Sequence, residues 1–152
     1  MGTALVAAVA AIRTIKAADG KEYRLSPLTL RDYAQLDLWL EKEVVERARR
    51  VFADEKDEKV RSVEIRLAQR EAQTITWETL KGAELICTPE GVARLLYLAL
   101  HHNHTELTLE QVKDMITTDI LSLLVEEARK ANVLVNPTEA GVESQSPAPA
   151  LE

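Results

Sequence analysis

Gly20-Lys-Glu-Tyr-Arg-Leu-Ser-Pro-Leu-Thr-Leu-Arg-Asp-Tyr-Ala-Gln-Leu-Asp-Leu-Trp-Leu40 is the stretch whose reading decides the fold. Ser26-Pro27 halts whatever precedes it, and Thr29 then offers a side-chain oxygen to a new helix. Asp32, three residues on, completes a box of the capping-box kind, with Asp in place of the usual Glu or Gln. Leu28 and Tyr33 occupy the staple positions on either side of the cap. Leu36, Leu40, Val44, Ala48 and Val51 follow on one helical stripe, so the spacing predicts a helix over 30–52.

Upstream, Ile12–Lys16 and Lys21–Leu25 alternate in character around Ala17-Ala-Asp-Gly20. Asp-Gly between two such runs signals a β-hairpin, because Gly accepts positive φ. Ala4–Ala11 either extends the first strand or forms a helical lead-in. Its alanines favour helix, whereas Val6 and Val9 favour strand.

Downstream, a second helix is expected over 57–74 with Val60, Val63 and Leu67 inward, unless it runs on from the first as one long helix. The exposed faces carry four-residue pairs such as Glu43–Arg47 and Glu46–Arg50. Thr74–Ile86 reads as a mixed connection. Thr88-Pro89-Glu90 opens a third helix with a cap, a proline needing no N–H donor, and an acid against the dipole. Its residues Val92, Leu95, Leu96, Leu98, Ala99 and Leu100 make a stripe wide enough for a core centre or an oligomer interface. Leu107, Thr108, Gln111 and Val112 repeat the first helix start, and a further helical stretch covers 120–130. From Asn136 the chain is rich in Pro, Ser, Glu and Ala and too polar to order itself. Its closing Leu151-Glu152 also fits a cloning remnant.

These readings define a mainly α protein. It has an N-terminal segment and hairpin (1–25), a helical core domain (26–135) and a disordered tail (136–152). Its 152 residues suffice for a core without staples. Aromatics are only 4%, which leaves that core to Leu, Val, Ile and Ala. The single Cys87 excludes an internal disulfide, fits a reducing compartment, and reads as a small buried hydrophobe. Thr3–Ile12 is uncharged but too short to span a bilayer and lacks a basic lead, so neither membrane nor secretion is expected. The net charge is -6, and from Glu84 onward eleven acids face four bases, which argues against a nucleic-acid partner.

Chemistry-bearing patterns are sparse. His101, His102 and His104 cluster, but at spacings that suit a helix C-terminus better than a metal, so neither metal nor cofactor is expected. Five dispersed glycines form no phosphate loop, and the carboxylates belong to charged helix faces. The expectation is a protein without enzymatic activity. Trp39 and Trp77 read either as core-edge packing or as anchors for a partner.

The run Tyr23-Arg-Leu-Ser-Pro-Leu-Thr-Leu30, leading into Asp32, Leu36 and Trp39-Leu40, resembles the opening of bacteriophage tail assembly chaperones. A second such region reads Gly91–Leu100 and then His101-His-Asn-His-Thr-Glu-Leu-Thr-Leu-Glu-Gln111, where Gln stands at the place of a more typical second acid. The resemblance covers roughly 12–130. It implies a chaperone that binds the tape measure protein and keeps it soluble while tail tube protein assembles around it. It further implies a homo-oligomer in the host cell cytoplasm, absent from the mature virion, and in this family a longer frameshifted form. Leu36, Trp39, Leu40, Val44, Leu96 and Leu100 are the expected partner-binding residues. The alternatives are a structural head–tail or tail adaptor that stays in the particle, and a helical regulator reading DNA through Thr108–Thr117.

Overall fold

The computed structural model describes residues 2–135, so the tail expected to be disordered lies outside the described residues. The protein is mainly α, with one two-stranded hairpin near its N-terminus. Helix α1 (Gly2–Ala11) settles the open choice for the alanine-rich lead-in in favour of helix. Strands β1 (Thr14–Lys16) and β2 (Glu22–Arg24) follow, antiparallel, with Ile15 opposite Tyr23. Gly20 has φ +81° in the connecting turn, which is why the Asp-Gly pair is needed there. Asp19 braces that turn by accepting from the Lys21 N–H (2.9 Å) and the Tyr23 hydroxyl (2.8 Å).

Helix α2 (Leu30–Val51) begins with the capping box read from Thr29 and Asp32. Helix α3 (Glu58–Ala72) is separate from it, because Asp57 caps a new helix by accepting from the Lys59 and Val60 N–H groups. The one-long-helix alternative is thereby excluded. Two expectations for this region are corrected. Val60, Val63 and Leu67 are 41%, 52% and 51% exposed; α3 turns Ala68 and Ala72 inward instead. Small residues let α3 approach α2 closely, and that contact outranks the larger apolar stripe. Arg50 pairs with Glu43 (2.7 Å) rather than Glu46, which takes Arg49 (2.7 Å); the Glu43–Arg47 pair is present at 3.1 Å.

The expected connection after α3 holds a further helix, α4 (Leu80–Ile86), capped by Thr79, whose hydroxyl oxygen accepts from the Gly82 N–H. A seven-residue helix with a glycine inside gives little periodic signal. Helix α5 (Pro89–His101) starts at Thr88 and Pro89 as read. Gly91 sits where an added Cβ would strike the Leu85 and Ile86 carbonyls, so glycine is what lets α4 and α5 meet at this corner. Helices α6 (Leu109–Met115) and α7 (Thr118–Val135) complete the described chain, α6 with the Thr108–Gln111 box formed in both directions.

Helix α5 is the hub. It packs on α1, α2, α4 and α6, while α1 also lies along α7 and α2 along α3. All six residues of its expected stripe are buried. The hairpin joins the same cluster through Ile15 and Leu25.

Candidate interaction surfaces

The two informative segments meet in space through a polar seam. Asp32, 6% exposed, binds back to the Thr29 N–H (2.7 Å) and hydroxyl (2.9 Å). Its Oδ2 also lies 2.7 Å from His102 Nε2 at the end of α5. Burial pushes the Asp32 carboxyl pKa up, but the Thr29 N–H, His102 and the Thr29 hydroxyl outweigh it and hold the pKa below the ordinary value. The carboxylate therefore accepts, and the ring nitrogen donates.

Around this pair, Ser26 N–H donates to the Ala99 carbonyl (2.9 Å) and Asn103 Nδ2 to Ser26 Oγ (2.7 Å). His104 Nε2 accepts the Arg24 N–H (3.0 Å), and its ring meets Tyr23 edge-on at 5.1 Å. His101 lies instead against Tyr97. The three histidines thus serve three different partners, and among the described residues no group of three or more His, Cys, Asp or Glu is placed to hold a metal. The seam satisfies the last turn of α5 and fixes the hairpin and α2 upon it. It is a structural joint.

The six residues expected to bind a partner occupy the interior. Leu36, Leu40, Leu96 and Leu100 are at most 1% exposed, Val44 5% and Trp39 7%. Trp39 is covered by the Arg94 guanidinium, 5.7 Å from its ring centroid. A partner reaches these side chains only if the fold opens. Trp77, half-buried, stacks on Tyr33 at 4.9 Å, and its backbone N–H donates to Asp37 (2.8 Å), so it locks the chain between α3 and α4 onto α2.

Exposed apolar side chains gather elsewhere, in two places. One is the α3 stripe of Val60, Val63 and Leu67, beside which Val51 and Leu67 line a shallow groove between α2 and α3. The other is a groove between the start of α5 and α7. It is made of two adjoining clefts of about 450 and 360 Å³ that share Cys87, Val92 and Leu121. Leu124, Val125 and Ala128 extend its floor, and Glu90, Lys113 and Arg129 stand at its rim. Lys113 bridges to Glu90 at 2.9 Å, tying α6 to α5 at one end.

Cys87 was expected to be buried and is exposed in this groove, a correction that follows from its place at the C-cap of α4. Partial desolvation by the groove walls still raises its thiol pKa. At neutral pH that keeps the thiol protonated and weakly nucleophilic.

Sequence reasoning passed over both surfaces. The signal for the α7 groove was present in Ile120, Leu121, Leu123, Leu124 and Val125, an apolar arc too wide for a helix buried on one side. For α3, it was the second stripe of Ile65, Ala68 and Ala72, which competes with Val60, Val63 and Leu67 for the inward position. Among the described residues no helix is long and apolar enough to cross a membrane. No protein-family model, curated protein or solved structure matches the chain.

Proposed function

We infer that this chain is a non-enzymatic helical binding protein that takes an amphipathic client helix into the α5–α7 groove. In line with the resemblance noted above, the client is the tape measure protein of a long-tailed phage, and the role is that of a tail assembly chaperone. The observation that carries this reading is the groove itself. Its floor of Val92, Leu121, Leu124, Val125 and Ala128 is apolar, and its rim carries both signs of charge. Such a trough accepts the apolar stripe of a helix while the rim faces the helix's polar flanks. Contacts of this size are individually weak, which suits a chaperone that must surrender its client to tube subunits.

The test is co-expression with the tape measure protein encoded near this gene, reading the client's soluble fraction. The wild-type chain is expected to keep the client soluble, whereas Leu121→Asp with Val125→Asp loses that effect while the variant itself stays folded. An equally soluble client without this chain sinks the reading, as does stoichiometric recovery of this chain in purified particles, which is the behaviour of an adaptor. Sequencing beyond the gene's 3′ end supplies an independent check. An overlapping -1 frame followed by a very long helix-coding frame is expected.

A further inference from the structure

We propose that α3 is a self-association helix that pairs in parallel with α3 of a second copy of this chain. The inference does not depend on the chaperone reading. Helix α3 leaves three apolar side chains, Val60, Val63 and Leu67, about half exposed. Val60, Val63 and Leu67 follow a three-then-four spacing, the repeat that places knobs along a two-helix seam. Taking Val60 and Leu67 as a positions and Val63 as d puts Lys59 and Arg66 at g, and Glu64 and Glu71 at e.

That charge pattern chooses the occupant and its direction. In a parallel pair, each g residue faces the e residue five positions later on the other helix. Lys59 therefore meets Glu64 of the second copy, and Arg66 meets Glu71, four attractive contacts across the two-fold axis. In an antiparallel pair g faces g and e faces e, which would set bases against bases and acids against acids. A second copy in parallel is the arrangement that leaves no like-charge contact between the g and e positions. The flanking side chains are free to take part: Lys59, Arg66 and Glu71 are exposed and Glu64 is partly so. None of the four forms a salt bridge within the described residues. The α2 helix covers Ala68 and Ala72 and leaves Val60 and Val63 open, while Glu64, Leu67 and Glu71 stand at the edge of the shallow groove between the two helices.

Three apolar layers make a small interface. Arg70 at the next d position ends it, so the pairing is weak. Joined to a multivalent client, such a contact acts through effective concentration rather than intrinsic strength.

The experiment is sedimentation equilibrium of the full chain from low to high micromolar concentration. The wild type is expected to dimerise, less tightly as salt rises. Lys59→Glu with Arg66→Glu is expected to weaken the dimer at least tenfold, as is Glu64→Lys with Glu71→Lys, and combining all four substitutions is expected to restore it. Val60→Cys in a Cys87→Ser background is expected to cross-link to itself on mild oxidation, since residues at the end of the seam oppose their own copies only in a parallel pair. All these sites are exposed or partly exposed on α3, apart from Cys87, and unchanged thermal unfolding of the monomer confirms that the variants fold. A chain that stays monomeric throughout, a dimer indifferent to either charge reversal, or one abolished only by Val125→Asp in the α7 groove overturns the proposal.

Discussion

The Asp32 carboxylate accepts from the Thr29 N–H and from His102, so its removal undoes a helix cap and a joint between distant segments together. Asp32→Ala is expected to cost about 1–3 kcal/mol at pH 7. That corresponds to a fall of several degrees in Tm for a chain of this size. The pH dependence has a definite sign. Because the folded pKa lies below the ordinary 3.8, the stabilisation is complete at higher pH and is lost as pH falls through the folded value. Denaturant titrations from pH 7 downward are therefore expected to show wild type and variant converging below about pH 3.8. A gap that stays constant with pH would assign the cost to packing alone. The residue scale also shows the bounds of sequence reading. Both boxes, at Thr29 and Thr108, were legible because capping is local chemistry, whereas His102 as the third partner of Asp32 lies seventy positions away.

At the scale of elements, α2 and α3 make the sharpest contrast. Each carries an apolar stripe, yet Leu40 on α2 is 0% exposed and Val63 on α3 is 52% exposed. Leu40→Ala is expected to cost about 2–5 kcal/mol, through lost burial and the cavity left behind. Val63→Ser is expected to change the stability of the monomer by no more than about 0.5 kcal/mol. Paired denaturation curves at low protein concentration, below the dimerisation range, separate the two. A costly Val63→Ser would return that residue to the core. Periodicity gave both helices their existence and nearly their ends, but could not rank two stripes on one helix. Tertiary packing decided that ranking in favour of Ala68 and Ala72, because small side chains let backbones approach.

Across the whole molecule, α5 lies among α1, α2, α4 and α6, and α1 is held against α7. Val9, Leu95, Leu96 and Leu124 are at most 2% exposed within one continuous cluster. Native-state hydrogen exchange is therefore expected to protect α1 and α5 up to the global unfolding free energy, although α1 begins near the chain terminus. Helix α3 buries little beyond Ala68 and Ala72 and is expected to open earlier, as a smaller unit with α2's outer turns. Early exchange throughout α1 would mean that its packing on α7 does not belong to the cooperative core. The same architecture explains why the expected partner residues were misplaced. Leu36, Leu40, Leu96 and Leu100 form the most regular apolar pattern in the chain, and the most regular pattern is what the core consumes.

The sequence by itself determined the helical class, the hairpin turn at Asp19-Gly20, and the starts of α2, α5 and α6. Each of these depends on neighbours within about four positions, where spacing and side-chain chemistry are enough. Only the tertiary structure decided that the lead-in is a helix, that Thr79 starts a short helix, that Cys87 lines a groove, and which apolar stripes stay in contact with solvent. Those outcomes depend on which surfaces compete for a finite interior. That competition is settled by the whole packed chain, because a stripe is buried only when no better-fitting one takes its place.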